Sequence, residues 1–185
     1  MHFLLGKIGT AEIALCDSQY NSNQSSSGYF NMNTSNTNNG GWRDSYMRKT
    51  LLNGTSNSLL KALPAALQSA IKAINKYTDA GSGSDHNTAA NVISTQDKLW
   101  LLSEFEVWGT RYYANEAEKN YQQQYDYFKA GNTKIANRHT AVCSAVWWWL
   151  RSPYYNNNNN FCNVNNNGNY NNNNAYYSAG VRAGF

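Results

Sequence analysis

The sequence predicts an α+β domain, and two observations support this prediction. Two segments with helical periodicity lie in the first half of the chain, and strand-like apolar segments follow in the second half. A run of helices followed by a run of strands is typical of the α+β class. A chain of 185 residues is long enough to bury one core. We therefore expect a single domain over residues 1–185, in which two helices pack on a small, mostly antiparallel sheet with long loops.

The N-terminal segment, MHFLLGKIGTAEIAL, is predicted to form the first strand. It lacks a basic start, and its apolar run is interrupted at Gly6 and Lys7, so it does not have the pattern of a signal peptide. No segment of the sequence is long enough for a membrane span. Residues 17–41 are polar and are predicted to form a loop.

The first helix is predicted for the segment WRDSYMRKTLLNG. Trp42, Tyr46 and Thr50 share one side of such a helix, with Leu51 beyond them, and Gly54 is a suitable residue for its C-terminal end.

The second helix is predicted for LLKALPAALQSAIKAINKYT, with Pro64 in the first turn. Its apolar residues recur at spacings of three and four, which predicts a stripe that faces the core. The stripe consists of Leu60, Leu63, Leu67, Ile71 and Ile74.

The second half of the chain contains the predicted strands. The segment DKLWLLSEFEVWG is predicted to be a strand up to Gly109, and residues 111–140 form a polar insertion with a short helix around YQQQYDYF. The segment CSAVWWWLRSP predicts a buried strand, so we expect Trp147, Trp149 or both to be buried, together with Trp42 and Trp100. From Ala175 to Phe185 apolar residues alternate with others, as in a half-buried final strand.

The tail before this final strand is rich in asparagine, which accounts for 14 of the 19 residues from Asn156 to Asn174. Such tracts are often disordered or prone to aggregation. This tract, however, is interrupted by Phe161, Cys162 and Val164, and Asn167-Gly168 is a strong hairpin signal. We therefore expect an ordered hairpin whose exposed positions are asparagine.

Composition limits the classes of function. Charged residues make up 14% of the chain, and the net charge of +4 is not concentrated in a basic cluster, which argues against nucleic-acid binding. Low charge with 14% aromatic residues is also unlike a disordered protein. The cysteines Cys16, Cys143 and Cys162 are odd in number and widely spaced, which favours buried free thiols over a metal site or a disulfide framework.

No catalytic constellation is evident in the sequence. The histidines His2, His86 and His139 are isolated from one another. Glu104 and Glu106 would share one face of a strand, where an exposed or salt-bridged pair is a commoner arrangement than a catalytic one. No nucleotide-binding, hydrolase or calcium-loop motif is present. Arg151 and Arg182 each follow an apolar segment and are predicted to pair with carboxylates or carbonyls beneath the hairpin. We therefore expect no catalytic residue, no metal site and no cofactor.

Several motifs in their order resemble a family of prophage proteins that carry a C-type-lectin-like domain, related in fold to formylglycine-generating enzymes. These motifs are GGWRDSYMRKTLL, LPAAL, DKLWLLSEFEVWG, WWLRSP, FCNV and GVRAGF, and they cover roughly residues 40–185. One departure is Ala183, where the resemblance leads us to expect proline. The resemblance implies a C-type-lectin-like fold with a C-terminal display hairpin.

Some members of this fold group are variable proteins of diversity-generating retroelements, in which an error-prone reverse transcriptase mutates a template at adenines. Asparagine codons, AAC and AAT, carry two leading adenines whose mutation reaches most amino acids and never a stop codon. A tail of Asn and Tyr is what an unmutated template would encode. The resemblance therefore implies a variable region at about 154–177, here in its template-like form.

The implied function is that of a non-enzymatic, receptor-binding variable protein of a phage or prophage. Its ligand would be an unknown protein or glycan on a bacterial cell surface, and phage tail or fibre proteins would be further partners, with no nucleic acid and no membrane insertion. The implied location is the virion tail tip, or the bacterial cytoplasm before assembly. The implied variable, ligand-binding residues are Tyr154, Tyr155, Asn156, Asn157, Asn158, Asn159, Asn160, Asn163, Asn165, Asn166, Asn167, Asn169, Tyr170, Asn171, Asn172, Asn173, Asn174, Tyr176 and Tyr177.

If the asparagines are diversification sites, their side chains should be mostly exposed, and Phe161, Cys162, Val164 and Gly168 should point inward or hold the turn. Two alternatives stay open. A fixed lectin or cell-surface binding domain would have the same fold without the variation. A formylglycine-generating type of enzyme would need a reactive cysteine pair with a copper or calcium site, and Cys143 and Cys162 lack the expected neighbours.

Overall fold

A computed structural model describes residues 6–8, 11–15, 30–81, 83–139 and 143–185. Within these ranges the chain combines short helices with small, mostly antiparallel sheets, which confirms the α+β prediction. Residues 1–5, 9–10 and 16–29 lie outside the description, and with them part of the predicted first strand, most of the polar loop, His2 and Cys16. No helix of the described ranges is both long and apolar enough to cross a membrane.

The strands form four small sheets. In chain order they are β1 (Gly6–Ile8), β2 (Ala11–Ala14), β3 (Ile74–Asp79), β4 (Val92–Asp97), β5 (Trp100–Leu101), β6 (Ala136–Arg138), β7 (Ala145–Val146), β8 (Trp148–Pro153), β9 (Asn160–Val164), β10 (Tyr170–Asn174) and β11 (Ala183–Gly184). The sheet orders are β1-β2-β6-β7, β10-β9-β8, β11-β5 and β3-β4, and the β2–β6 pair is parallel.

The helices are short and irregular. They are α1 (Gly41–Asp44), a π-helix (Met47–Leu52), α2 (Leu59–Ala62), α3 (Ala65–Ala70), a 3₁₀ helix (Ala89–Asn91), α4 (Glu104–Trp108), a second 3₁₀ helix (Glu116–Tyr121) and α5 (Asp126–Lys129).

Strand β8 lies between two hydrophobic cores and is buried along its whole length. Trp149, like Trp147 just before the strand, packs into one core, and Trp148 and Leu150 pack into the other. A strand covered on both faces is apolar at successive positions, which is why this segment has no alternation. The prediction that Trp147 and Trp149 are buried is confirmed, as it is for Trp42 and Trp100.

The two predicted helices are broken into pieces. Leu63 is extended, because the residue before proline is disfavoured in the helical region, and α3 therefore begins only after Pro64. The first helix buries Trp42 and Met47, whereas Thr50, which was expected on the same side as Trp42, is exposed.

The second helical prediction also runs too far, because Ile74 belongs to β3. Strand β3 pairs with β4 in a hairpin from Ile74↔Asp97 to Asp79↔Val92, an element that the sequence analysis did not predict.

The predicted strand up to Gly109 is wrong beyond Leu101, because Glu104–Trp108 is helical. Ser103 caps this helix: its hydroxyl accepts from the Glu106 N–H, and the Glu106 carboxylate accepts from the Ser103 N–H. Gly109 ends the helix in the left-handed region, at φ 71°.

The last segment is less regular than predicted, and only Ala183–Gly184 forms a strand, which pairs with β5. It is buried from Ser178 to Gly184 without alternation. Leu15 and Val181 exchange backbone hydrogen bonds of 2.9 and 2.8 Å, which brings the two ends of the described chain together as expected.

Candidate functional site

The candidate site is built from the 154–160 loop and from the β9–β10 hairpin that follows it. Most backbone carbonyl groups of the 154–160 loop accept hydrogen bonds. The carbonyl oxygens of six of the seven loop residues, all except that of Asn156, accept hydrogen bonds among the described residues. The Tyr155 N–H donates in turn to the Tyr113 carbonyl at 2.9 Å. Residues 154–159 belong to no strand, and Asn160 is the first residue of β9. These hydrogen bonds nevertheless fix the backbone of the loop.

Asn38 holds this loop from outside the tail. Its side-chain Nδ2 lies 2.7 Å from the carbonyl of Asn157, 3.0 Å from that of Asn160 and 3.3 Å from that of Tyr154. Its backbone N–H donates to the Asn158 carbonyl at 3.0 Å. Asn38 is itself fully buried. No local pattern of the sequence indicates this role, because the partners of Asn38 lie more than 110 residues away along the chain.

His86 is a second anchor. Its backbone N–H donates to the Tyr155 carbonyl at 3.0 Å, and its ring Nε2 lies 3.3 Å from the Asn157 carbonyl oxygen. Its Nδ1 contacts the buried carboxylate of Asp79. Burial disfavours the charged ring, but the hydrogen bond and the charge of Asp79 outweigh burial and raise the pKa of His86. His86 is therefore buried and paired with a carboxylate, whereas His139 is exposed.

The hairpin keeps the predicted position but has a different turn. The backbone carbonyl of Asn165 accepts a hydrogen bond from the Gly168 N–H at 2.9 Å. The backbone N–H of Asn165 donates to the backbone carbonyl of Asn169 at 2.8 Å. Of the two residues at the predicted type I′ turn only Gly168 has a positive φ, of 84°. The turn is therefore a three-residue loop whose last residue, Gly168, has a positive φ, which is a common hairpin connection after the two-residue turns.

Phe161, Cys162 and Val164, three of the residues that interrupt the asparagine run, are buried as expected. Phe161 packs into the first core, and Cys162 and Val164 pack into the second.

The asparagines themselves range from exposed to buried, so the expectation of general exposure is only partly correct. Exposed asparagines lie in the loop and around the turn: Asn156, Asn158, Asn166, Asn167 and Asn169. Half-buried asparagines are Asn157, Asn159, Asn160, Asn165, Asn171, Asn172, Asn173 and Asn174. Asn163 is buried, at 1% exposure, and its Oδ1 has no hydrogen-bond partner among the described residues. It lies in the centre of the three-stranded sheet, opposite Trp149 and Asn171.

Some asparagine side chains support the local structure. Asn157 Oδ1 accepts from the N–H groups of Asn159 and Asn160, at 2.7 and 2.9 Å. Asn160 Nδ2 donates to Asn172 Oδ1 at 2.6 Å. These positions are therefore less free to change than the exposed ones.

The tyrosines of the tail fall into two groups. Tyr170 is 42% exposed, and Tyr154 and Tyr155, which begin the 154–160 loop, are half-buried and pack edge to face. Tyr176 and Tyr177 are half-buried and pack edge to face after β10.

A charge network lies beneath the site, and it confirms the structural role predicted for Arg151. The fully buried guanidinium donates to both oxygens of Glu106, at 2.5 and 3.2 Å. Lys76 Nζ and the Tyr125 hydroxyl also donate to Glu106, at 2.9 and 2.8 Å. Burial disfavours the carboxylate, but the charges of Arg151 and Lys76 outweigh burial and lower the pKa of Glu106 to about 2. Arg182 similarly pairs with Glu12 at 3.3 Å.

Glu104 fixes the segment that adjoins the site. Its carboxylate accepts from the N–H groups of Tyr112, Tyr113 and Ala114 at 2.7 to 3.0 Å. Glu104 and Glu106 therefore serve separate networks on a helix, and the expected strand pair is wrong.

Two further buried groups have raised pKa values. Burial raises the pKa of Glu118 to about 7, although it accepts from the Asp79 N–H and the Ser152 hydroxyl at 3.0 and 2.7 Å. Burial also raises the pKa of the Cys162 thiol. Of the two cysteines that the structure describes, Cys162 is a buried free thiol as expected, whereas Cys143 is a free thiol that is exposed. Among the described residues no three His, Cys, Asp or Glu side chains are grouped so that they could hold a metal ion.

Comparison with known proteins gives one match. A family model described as a domain of unknown function, DUF6273, matches residues 12–185. Neither the curated proteins nor the solved structures contain a significant match to the chain. Because the family model spans nearly all of the chain, including the whole candidate site, the protein belongs to the DUF6273 family.

Proposed function

We propose that this chain is a non-enzymatic ligand-binding protein with a C-type-lectin-like fold, whose Asn- and Tyr-rich tail is the variable surface of a diversity-generating retroelement. The tail here has its template-like sequence. The ligand is a protein or glycan on a bacterial cell surface, and the protein acts at the tip of a phage tail.

The observation that carries this proposal is how the 154–160 loop is held. Most of its anchors are backbone groups, or side chains such as Asn38 that lie outside the tail. A backbone held in this way keeps its conformation when the exposed side chains of the loop are replaced. Asn156 and Asn158 are exposed and can therefore change at little cost in stability.

The pattern of burial gives further support. The residues that break the asparagine run, among them Phe161 and Val164, provide the hydrophobic contacts of the hairpin. Tyrosine offers a large contact area at a small cost in side-chain entropy, and asparagine offers both donors and acceptors. A surface of these two residue types suits binding that is altered by mutation.

The burial and the raised pKa of Cys162 argue against the enzymatic alternative. A nucleophilic cysteine reacts as the thiolate and needs access to its substrate. The Cys162 thiol is fully buried, and its raised pKa keeps it protonated. A fixed binding domain remains the second candidate, and it differs from the first only in whether the tail varies.

The test compares exposed asparagines with a buried position of the same hairpin. Replacing Asn156, Asn158 and Asn166 with Ser, Asp or Tyr should change the free energy of unfolding by less than about 0.5 kcal/mol per site. Val164→Asp places a charge in a fully buried position and should unfold the hairpin. Urea unfolding followed by tryptophan fluorescence measures both. Unfolding by the asparagine substitutions, with Val164→Asp tolerated, would reject the proposal.

Binding is tested with a library randomised at the exposed asparagines and selected on intact bacterial cells. The proposal requires that clones selected on different strains differ at these positions. At the level of DNA, a near-duplicate of the 3′ end of the gene beside a reverse-transcriptase gene is expected. Its absence would favour the fixed binding domain.

A further inference from the structure

A group of aromatic side chains adjoins the asparagine-rich surface, and three of its members come from outside the tail. This group, the aromatic shelf, consists of Trp108, Tyr112, Tyr113, Tyr154 and Tyr170. Tyr112 and Tyr170 stack with ring centroids 3.5 Å apart and planes 12° apart. The Trp108 ring packs edge to face against both of them, with ring centroids 5.9 Å from Tyr112 and 6.2 Å from Tyr170. Tyr113 lies between Tyr170 and Tyr154, and its ring centroid is 6.0 Å from that of Tyr170 and 5.0 Å from that of Tyr154.

Two members of the shelf, Tyr112 and Tyr170, are exposed, and the other three are half-buried. Exposure is uncommon for large hydrophobic side chains among the residues that the structure describes. Among the described residues three large hydrophobic side chains are exposed, and Tyr112 and Tyr170, at 37% and 42%, are two of them. The third, Tyr121, stacks instead on Tyr77. Two of the three thus lie together beside the asparagines, and an apolar patch with a polar margin is a common mark of a binding site.

The shelf is also rigid. The buried Glu104 carboxylate accepts hydrogen bonds from the N–H groups of Tyr112 and Tyr113. The Tyr155 N–H ties the loop to the Tyr113 carbonyl. A surface that is held in place before binding loses little entropy when a ligand arrives.

The surroundings of the shelf are polar but carry little net charge. No charged residue or histidine occurs between Arg151 and Arg182. Arg111, whose guanidinium lies 4.4 Å from the centroid of the Tyr155 ring, is paired with Glu116 at 3.2 Å. The surface therefore offers aromatic rings and neutral amides, and it does not select a ligand by charge.

We propose that the aromatic shelf binds the rings of neutral saccharides. Its members outside the tail, Trp108, Tyr112 and Tyr113, are the constant part of this surface, and the tail supplies the variable part. This inference rests on the proposed function and narrows its ligand class. The C–H groups on one face of a sugar ring are weakly positive and are attracted to the negative face of an aromatic ring. Neighbouring asparagine amides both donate to and accept from sugar hydroxyls. In this arrangement Tyr112, which lies outside the tail, provides affinity common to all variants, and the tail determines which sugar is preferred.

The lack of charged residues in the tail disfavours other ligand classes. Single-stranded nucleic acids stack on aromatic side chains, but their binding also requires a positively charged groove for the phosphates. Protein interfaces commonly place aromatic and arginine anchors inside a polar rim. Arg111 lies over the ring of Tyr155, which packs against the shelf residue Tyr154, and it is paired with Glu116. A neutral saccharide needs no such charge.

The test is affinity electrophoresis of the full chain in native gels that contain dextran, mannan, galactomannan or mixed-linkage β-glucan. At least one of these polysaccharides should retard the protein. Tyr112→Ala should weaken the retardation at least about ten-fold, and Tyr112→Phe, which keeps the ring, should restore it. Tyr121→Ala is the matched control because it removes an exposed tyrosine outside the shelf. Thermal unfolding of each variant checks that it is folded.

The outcomes separate this inference from the proposed function. No retardation in any gel, or equal retardation of the wild type and the Tyr112→Ala variant, would overturn the saccharide inference. If binding to a cell-surface protein changes with Asn156 or Asn158 but not with Tyr112, variable display stands and the saccharide inference falls. If saccharide retardation depends on Tyr112 and no asparagine substitution affects it, the inference stands and variable display falls.

Discussion

Replacement of Asn38 by alanine tests directly how the 154–160 loop is held. The Asn38 amide is buried and reaches three loop carbonyls, two of them at 2.7 and 3.0 Å. Alanine removes this donor and keeps the backbone N–H that donates to Asn158. The perturbation is therefore confined to the side-chain anchor.

The size of the effect follows from the groups that lose their partner. The Asn160 carbonyl still accepts from the Tyr154 N–H, and the Asn157 carbonyl still has His86 nearby. Carbonyls left partly unsatisfied cost about 1–3 kcal/mol in the free energy of unfolding. For a chain of this size each kcal/mol shifts the melting temperature by about 2–4 °C. We expect the melting temperature of the Asn38→Ala variant to fall by between about 2 and 12 °C.

The assay combines thermal unfolding with hydrogen exchange followed by mass spectrometry. Peptides that cover residues 154–160 should exchange faster in Asn38→Ala, whereas peptides from β3 and β4 should be unchanged. Asn36→Ala is the control, since Asn36 is an exposed asparagine of the same segment. Unchanged exchange in the loop, with an unchanged melting temperature, would show that the loop does not depend on Asn38 and would refute the reasoning.

Three further predictions concern the core, the pH dependence and the tail. Trp149→Ala should lower the free energy of unfolding by about 3–5 kcal/mol, because the indole is fully buried and donates to the Phe30 carbonyl; an unchanged urea midpoint would contradict this. Glu118 has a folded pKa of about 7 against an ordinary 4.5, so the stability gained from its protonated form is fully present below about pH 4.5 and is lost as the pH rises towards 7. The raised pKa of His86 acts in the same direction, so Glu118→Gln should reduce, without abolishing, the fall in melting temperature between pH 5 and 8. Within the tail, Asn163→Asp should cost at least about 2 kcal/mol, because an unpaired carboxylate would be buried, whereas Asn158→Asp at an exposed position should cost less than about 0.5 kcal/mol; equal melting temperatures would contradict the burial difference.

The elements predicted correctly are those in which the residue pattern of the segment itself agrees with its burial in the fold. Strand β8 follows from its apolar run, and the hairpin follows from Asn167-Gly168 between two extended segments. The structural role of Arg151 was predictable because a charge next to an apolar strand must find a partner when it is buried.

Other elements were missed although a signal was present. The segment Ser103-Glu104-Phe105-Glu106 fits the capping box, in which serine is followed three residues later by glutamate, so the start of α4 could have been predicted. The apolar run around it favours a strand, which is why the predicted strand extends too far. Pro64 lies at the start of a helix as predicted, and it also excludes Leu63 from the helical region, which the sequence alone could have shown.

The remaining errors could not be avoided from the local pattern. Lys76 and Asp79 are polar residues of β3 that are buried because partners from distant segments, Glu106 and His86, meet them. Asn38 likewise looks like one polar residue among many until the fold brings the 154–160 loop against it. Contacts of this kind are properties of the tertiary structure, and no periodicity reveals them.

The arrangement of the hairpin bears on how diversification by adenine mutation could preserve the fold. Codons for Phe161 and Cys162 contain no adenine, so these two buried side chains would be copied unchanged, while the exposed Asn156 and Asn158 would vary. Asn163 breaks this correspondence, because it has an adenine-rich codon and lies in the buried centre of the sheet. Adenine mutation does not distinguish buried from exposed codons, so under the proposed function unsuitable residues at position 163 would be removed by failure to fold. Diversified copies of this tail are therefore expected to vary widely at 156 and 158, and to keep small or amide side chains at 163.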